Sequence, residues 1–113
     1  MASQIDRGQA ESLIQEFRNQ NQASGNNGLK TPDGKPLNGF FLDRASLENI
    51  LKDPKVDGIH VHLAKHPDFV GKPDNVQTLV YSGSVATPGA AAPYASSGEM
   101  YGDVYPCPPW CNS

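Results

Sequence analysis

The stretch Ile59-His60-Val61-His62-Leu63-Ala64 sets Ile59, Val61 and Leu63 on one side of the chain and His60, His62 and Ala64 on the other. That alternation is the period-2 signature of a strand with one buried face. Val76 to Ser82 repeats it, with Thr78, Val80 and Ser82 opposite Leu79 and Tyr81. The connection between the two runs carries Pro67, Gly71 and Pro73; at roughly ten residues it is long for a tight hairpin but suits an antiparallel pair. Upstream, Asp43 is placed to cap a helix with Leu47, Ile50 and Leu51 on one face, and Asp53 before Pro54 stops it. Phe40-Phe41-Leu42 reads as a further short strand. Residues 6 to 21 read as a first helix: Asp6 can cap, Gln9 has capping-box spacing, and Leu13, Ile14 and Phe17 make an apolar stripe. The prediction is an α+β fold of two helices packed on a small antiparallel sheet. Its expected core is Leu47, Ile50, Leu51, Ile59, Val61, Leu63 and Leu79.

Two segments break the periodic pattern. Residues 22–39 are dense in Gly, Asn and Pro, with Thr31-Pro32-Asp33-Gly34 fitting a type I turn, and read as a long surface loop. After Gly83 the run Ala86-Thr87-Pro88-Gly89-Ala90-Ala91-Ala92-Pro93 is small and uncharged, and Ser96-Ser97-Gly98 continues it. Such a stretch reads as linker. Met100, Tyr101, Val104, Tyr105 and Trp110 then restore apolar surface, the layout of a tail that docks. The expected organisation is a small domain over 1–83, containing the 22–39 loop, and a Gly/Ala/Pro-rich linker and docking tail over 84–113.

With 113 residues and 37% hydrophobic content, the chain has room for one modest core. All nine Lys and Arg lie before residue 73, together with nine of the 12 acidic residues, so the net charge of −3 arises in the last third. No basic patch or run is present to neutralise a phosphate backbone, which argues against nucleic-acid binding. No apolar segment approaches membrane-spanning length, and Met1 to Arg7 lacks an apolar leader core, which argues against a membrane span and classical secretion. The expected location is cytoplasmic, with export by a dedicated machine as the alternative.

Three groups of residues could carry chemistry. His60 and His62 share a strand face about 6 to 7 Å apart at Cα, and His-x-His pairs hold zinc in many proteins. Asp57, Asp68 and His66 are the nearby candidates for a third ligand, and solvent-facing polar residues are the alternative reading. Cys107 and Cys111 are spaced one residue too far for the thioredoxin-type motif, so a local disulfide, two free thiols and metal ligation stay open. Joined to His60 and His62 they would make a Cys2His2 set. Tyr101, Tyr105 and Trp110 are the aromatic residues suited to anchoring a partner. Phosphate-loop, nucleophile-elbow and His-Glu-x-x-His motifs are absent.

Taken together, Phe40-Phe41-Leu42-Asp43-Arg44, the helix to Leu51, Gly58-Ile59-His60-Val61-His62, Thr78-Leu79-Val80 and the ending Cys107-Pro108-Pro109-Trp110-Cys111 resemble a group of small uncharacterised proteins seen in Bacteroidetes. Their pattern is a Phe-Asp helix start, a Gly-Ile-Arg-x-Tyr strand, an aliphatic strand and a Cys-Pro-Pro-x-Cys ending. His60 and His62 stand where that group tends to have Arg and Tyr. The resemblance implies an α+β domain and supplies no mechanism. From the residues, the expected function is non-enzymatic: binding of a protein partner or a second copy through the C-terminal tail, with no cofactor. A metal-dependent activity at His60 and His62, with zinc as the metal, is the second reading. A thiol-redox role at Cys107 and Cys111 is the third.

Overall fold

The computed structural model describes residues 2–89, 91–102 and 104–111. Helix α1 (Arg7–Ala23) is followed by a short 3-10 turn, strand β1 (Gly39–Phe41), helix α2 (Arg44–Leu51) and strand β2 (Gly58–Lys65). Strands β3 (Gln77–Ala86), β4 (Tyr94–Tyr101) and β5 (Tyr105–Cys107) complete the order. The chain is α+β: β2, β3 and β4 form an antiparallel meander, and β1 pairs with β5 in a second, two-stranded sheet. Among the described residues no helix is long and apolar enough to cross a membrane.

Both helices start where a carboxylate caps them. Asp6 accepts from the Gln9 backbone N–H at 3.1 Å, and Asp43 accepts from that of Ser46 at 3.0 Å, each satisfying a donor the helix leaves unpaired. Beyond the caps the helices differ in how they attach. The α1 stripe of Leu13, Ile14 and Phe17 is exposed, and the only buried residue of α1 is Asn21. Its amide donates to the Leu29 and Leu37 carbonyls at 3.0 and 3.2 Å and accepts from the Leu29 N–H at 2.6 Å. Gly28 permits this approach, because a Cβ there would lie 2.5 Å from the Asn21 carbonyl oxygen.

The 22–39 segment is therefore more than surface loop. Thr31 and Leu37 are buried, the Lys30 N–H donates to the Asn75 carbonyl beside β3, and the Asn38 N–H donates to the Cys107 carbonyl. A stretch without periodic apolar residues is here fixed by backbone hydrogen bonds, which leave no hydropathy pattern.

The meander runs from Gly58↔Ser84 to Lys65↔Gln77 between β2 and β3, the antiparallel pairing expected for these two runs. Strand β3 continues past Gly83 to Ala86, and β4 pairs with it from Ala86↔Tyr94 to Tyr81↔Tyr101. The segment expected as linker from residue 84 thus contains the end of one strand and the whole of another. Phe40↔Pro106 and its neighbours tie the terminal segment to β1 in the same way. An edge strand is held by main-chain bonds and needs little apolar mass, so composition does not announce it.

Packing corrects the expected core. Ile50 is buried, and Leu47, Ile59 and Leu79 are half-buried, but Leu51, Val61 and Leu63 are 53, 43 and 84% exposed. The cause is the reach of α2, a helix of eight residues. It lies over the Gly83 end of the sheet, where Val56 and Ile50 side-chain carbons come within 2.9 and 3.2 Å of where a Gly83 Cβ would stand. Leu63, at the far end of β2, lies outside its cover. The buried apolar residues are Leu37, Ile50, Val76, Tyr81 and Cys107, and on the face of β3 opposite Tyr81 the polar Thr78, Ser82 and Ser84 are buried as well. The Tyr81 hydroxyl reaches Ser46 Oγ on α2 at 2.5 Å, linking helix to sheet.

Candidate binding surface and imidazole pair

The terminal turn is built on the β1–β5 pair. Cys107, 3% exposed, ends β5, and its Cα lies 4.9 Å from that of Cys111, with the two sulfurs at disulfide distance. The Cys107–Pro108 and Pro108–Pro109 peptide bonds are cis. The Trp110 N–H donates back to the Pro106 carbonyl at 3.1 Å, closing the turn. On it the rings follow one another at a tilt: Tyr105 lies 4.3 Å from Trp110 and 6.0 Å from Phe41, centroid to centroid. All three rings are exposed, Trp110 at 58%. Apolar rings that touch one another and still face water form a patch held by strand pairing and a cross-linked turn, so little ordering remains to be done on contact with a partner.

The structure thus brings Tyr105 and Trp110 together and adds Phe41, which sequence reasoning placed only in a strand. Its signal was the Phe40-Phe41 pair, but which ring faces outward depends on the β1–β5 register. Tyr101 is elsewhere. Its ring stacks on buried Tyr81 at 5.7 Å and its hydroxyl bonds to the Asn49 amide, so it fastens β4 to β3 and α2.

On the three-stranded sheet, His60 and His62 point to one face with rings stacked 4.0 Å apart. Ser96 of β4 bridges them: its Oγ lies 2.9 Å from His60 Nδ1 and 3.1 Å from His62 Nε2. The bridge crosses β3, where the short side chains of Ser82 and Ser84 lie buried beneath it. One hydroxyl can donate to one ring and accept from the other, so the arrangement satisfies a pair of neutral imidazoles of complementary tautomer. Beside His60, a cleft of about 380 Å³ is lined by Asp57, Ser84 and Tyr94 among others.

A zinc site needs at least a third ligand. Among the described residues no group of three or more His, Cys, Asp or Glu side chains converges. His66 is turned away, its Nδ1 accepting from the Asp68 N–H at 3.2 Å and its ring edge-on to Phe69. Cys107 and Cys111 face one another at the terminal turn that follows β5. Two carboxyls are held below the usual aspartate range: Asp33 chiefly by the Thr31 hydroxyl, and Asp43 chiefly by the Ser46 N–H. Neither lies at the imidazole pair or the aromatic turn. Comparison with protein-family models, curated proteins and solved structures returns no match for this chain.

Proposed function

We propose that the protein is a non-enzymatic binding or assembly module whose aromatic turn engages a protein partner. The observation that supports this reading is the exposed trio of Phe41, Tyr105 and Trp110, ring against ring on a turn anchored by buried Cys107. Aromatic side chains carry a large share of interface energy, and a pre-ordered anchor binds at lower entropic cost. Trp110 is the sole tryptophan, so its fluorescence reports on this surface alone. A partner isolated with the full-length chain is expected to shift that emission to the blue on titration. Trp110→Ala is expected to lose capture of that partner while keeping the thermal melt. Undiminished capture by Trp110→Ala and by Tyr105→Ala would rule the turn out as the binding surface.

A further inference from the structure

The β2–β3–β4 sheet has two outer edges, and they differ. Along β4 the register shifts between Tyr81 and Gly83, and Gly98 takes φ +80° opposite that break, so this edge is irregular. Along β2 the pairing runs without interruption through eight residues, leaving a straight outer edge. The His66 N–H donates to the Val76 carbonyl, which fixes the even-numbered residues of β2 as those hydrogen-bonded to β3. The main-chain groups of Ile59, Val61 and Leu63 therefore point outward, with no strand beside them among the described residues. Val61 and Leu63 are also exposed at their side chains. A straight, apolar, unpaired edge is a template for another strand.

We propose that its occupant is a second copy of this chain, with the two β2 strands antiparallel about a twofold axis at Val61. Asp57, just before β2, and the side chains on the shared face of the strand, Ile59, Val61, Leu63 and Lys65, read acid, apolar, apolar, apolar, base. Reversed upon itself, that series is self-complementary. Asp57 meets Lys65 of the second copy at both ends, Ile59 meets Leu63, and Val61 meets Val61. Ile59, Val61 and Leu63 are the ones whose N–H and C=O groups face outward, so the apolar register also matches the hydrogen-bonding edge, whereas the Asp57 N–H donates to the Ser84 carbonyl and Asp57 would meet its partner through the side chain alone. On the opposite face His60 meets His62 of the second copy, flanked by Gly58 and Ala64, which are small enough to leave the rings room. Each surface patch meets itself, as closed twofold association requires, and the meander becomes a six-stranded sheet. This surface is distinct from the aromatic turn and does not rest on its function.

Sedimentation velocity of the full chain over a concentration series tests the proposal. The wild type is expected to reach the mass of two chains. Val61→Lys, which sets like charges against each other at the axis, is expected to remain at one. Asp57→Lys is expected to lose the dimer, and the double exchange Asp57→Lys with Lys65→Asp to regain it. Asp57, just before β2, is exposed, and Lys65, at its far end, is half-buried with its Nζ donating to the carbonyls of the exposed Lys72 and Asp74, so the charge exchange decides the matter even if Val61→Lys fails to fold. Trp110→Ala is expected to stay dimeric. A wild type that is monomeric throughout would overturn the proposal, as would a dimer indifferent to Val61→Lys, a double exchange that does not restore association, or a dimer lost in Trp110→Ala.

Discussion

Asn21 and Gly28 show how much can rest on two side chains that hydropathy ignores. The Asn21 amide meets three main-chain groups of Leu29 and Leu37, eight and 16 residues away. Asn21→Ala takes this partner from the Leu29 N–H and the Leu37 carbonyl, while the Leu29 carbonyl keeps the Leu37 N–H, at a cost of about 1–3 kcal/mol. Gly28→Ala forces a methyl against the Asn21 carbonyl and is expected to cost about 1–3 kcal/mol by overpacking. Chemical denaturation of each variant measures both losses, and values near zero would show that α1 is held by something else. Asp6 and Asp43 were legible as caps because a cap is settled within three residues of sequence. Asn21 was not, because its partners are fixed only once the chain has turned. Asp43 also predicts a pH response. Its carboxyl is held below its ordinary value by the Ser46 N–H and hydroxyl, so it stabilises the fold above the unfolded-state pKa. That contribution is lost as pH falls through the lower folded value. An acid titration should find Asp43→Asn less sensitive than the wild type over that range; equal sensitivity would remove Asp43 from the account.

At the scale of elements, periodicity found the strands and helices but could not say what covers them. The β2 alternation correctly gives a strand, and its pairing with β3 follows. Which end of its apolar face is buried depends on where an eight-residue helix comes to lie, and that is a tertiary fact. Ile50→Ala and Leu51→Ala, adjacent on α2, separate the two. Ile50 is buried against the Gly83 end of the sheet, and its truncation is expected to cost about 2–5 kcal/mol. Leu51 faces water, so its truncation should stay within about 0.5 kcal/mol, as should that of Leu63. Equal losses at 50 and 51 in parallel melts would show that α2 is rotated from the position described. Strand β4 was hidden for another reason. Its Tyr-Ala-Ser-Ser-Gly-Glu-Met sequence is exposed throughout, and hydrogen bonds to β3 hold it in place.

For the molecule as a whole, the main question is whether the last third of the chain is appendage or structure. Its composition argues for an appendage, since residues 84 to 98 hold few apolar side chains and the first 83 residues contain all the elements periodicity can see. Pairing argues for structure. β4 covers one side of β3, β5 is the partner of β1, Ser84 and Cys107 are buried, and the Cys107 carbonyl receives the Asn38 N–H from the 22–39 segment. Ending the chain at Gly83 removes all of these at once and leaves the shortened β3 an edge strand with its buried Ser82 opened to water. A two-stranded remainder under one short helix is marginal at best. The truncated chain is therefore expected to lose its cooperative thermal transition, whereas Trp110→Ala, which removes only an exposed ring, should melt within about 0.5 kcal/mol of the wild type. Circular dichroism melts of both decide it. A truncated chain that retained the wild-type transition would make 1–83 a self-sufficient domain, and the strands beyond it a detachable arm carrying the aromatic turn.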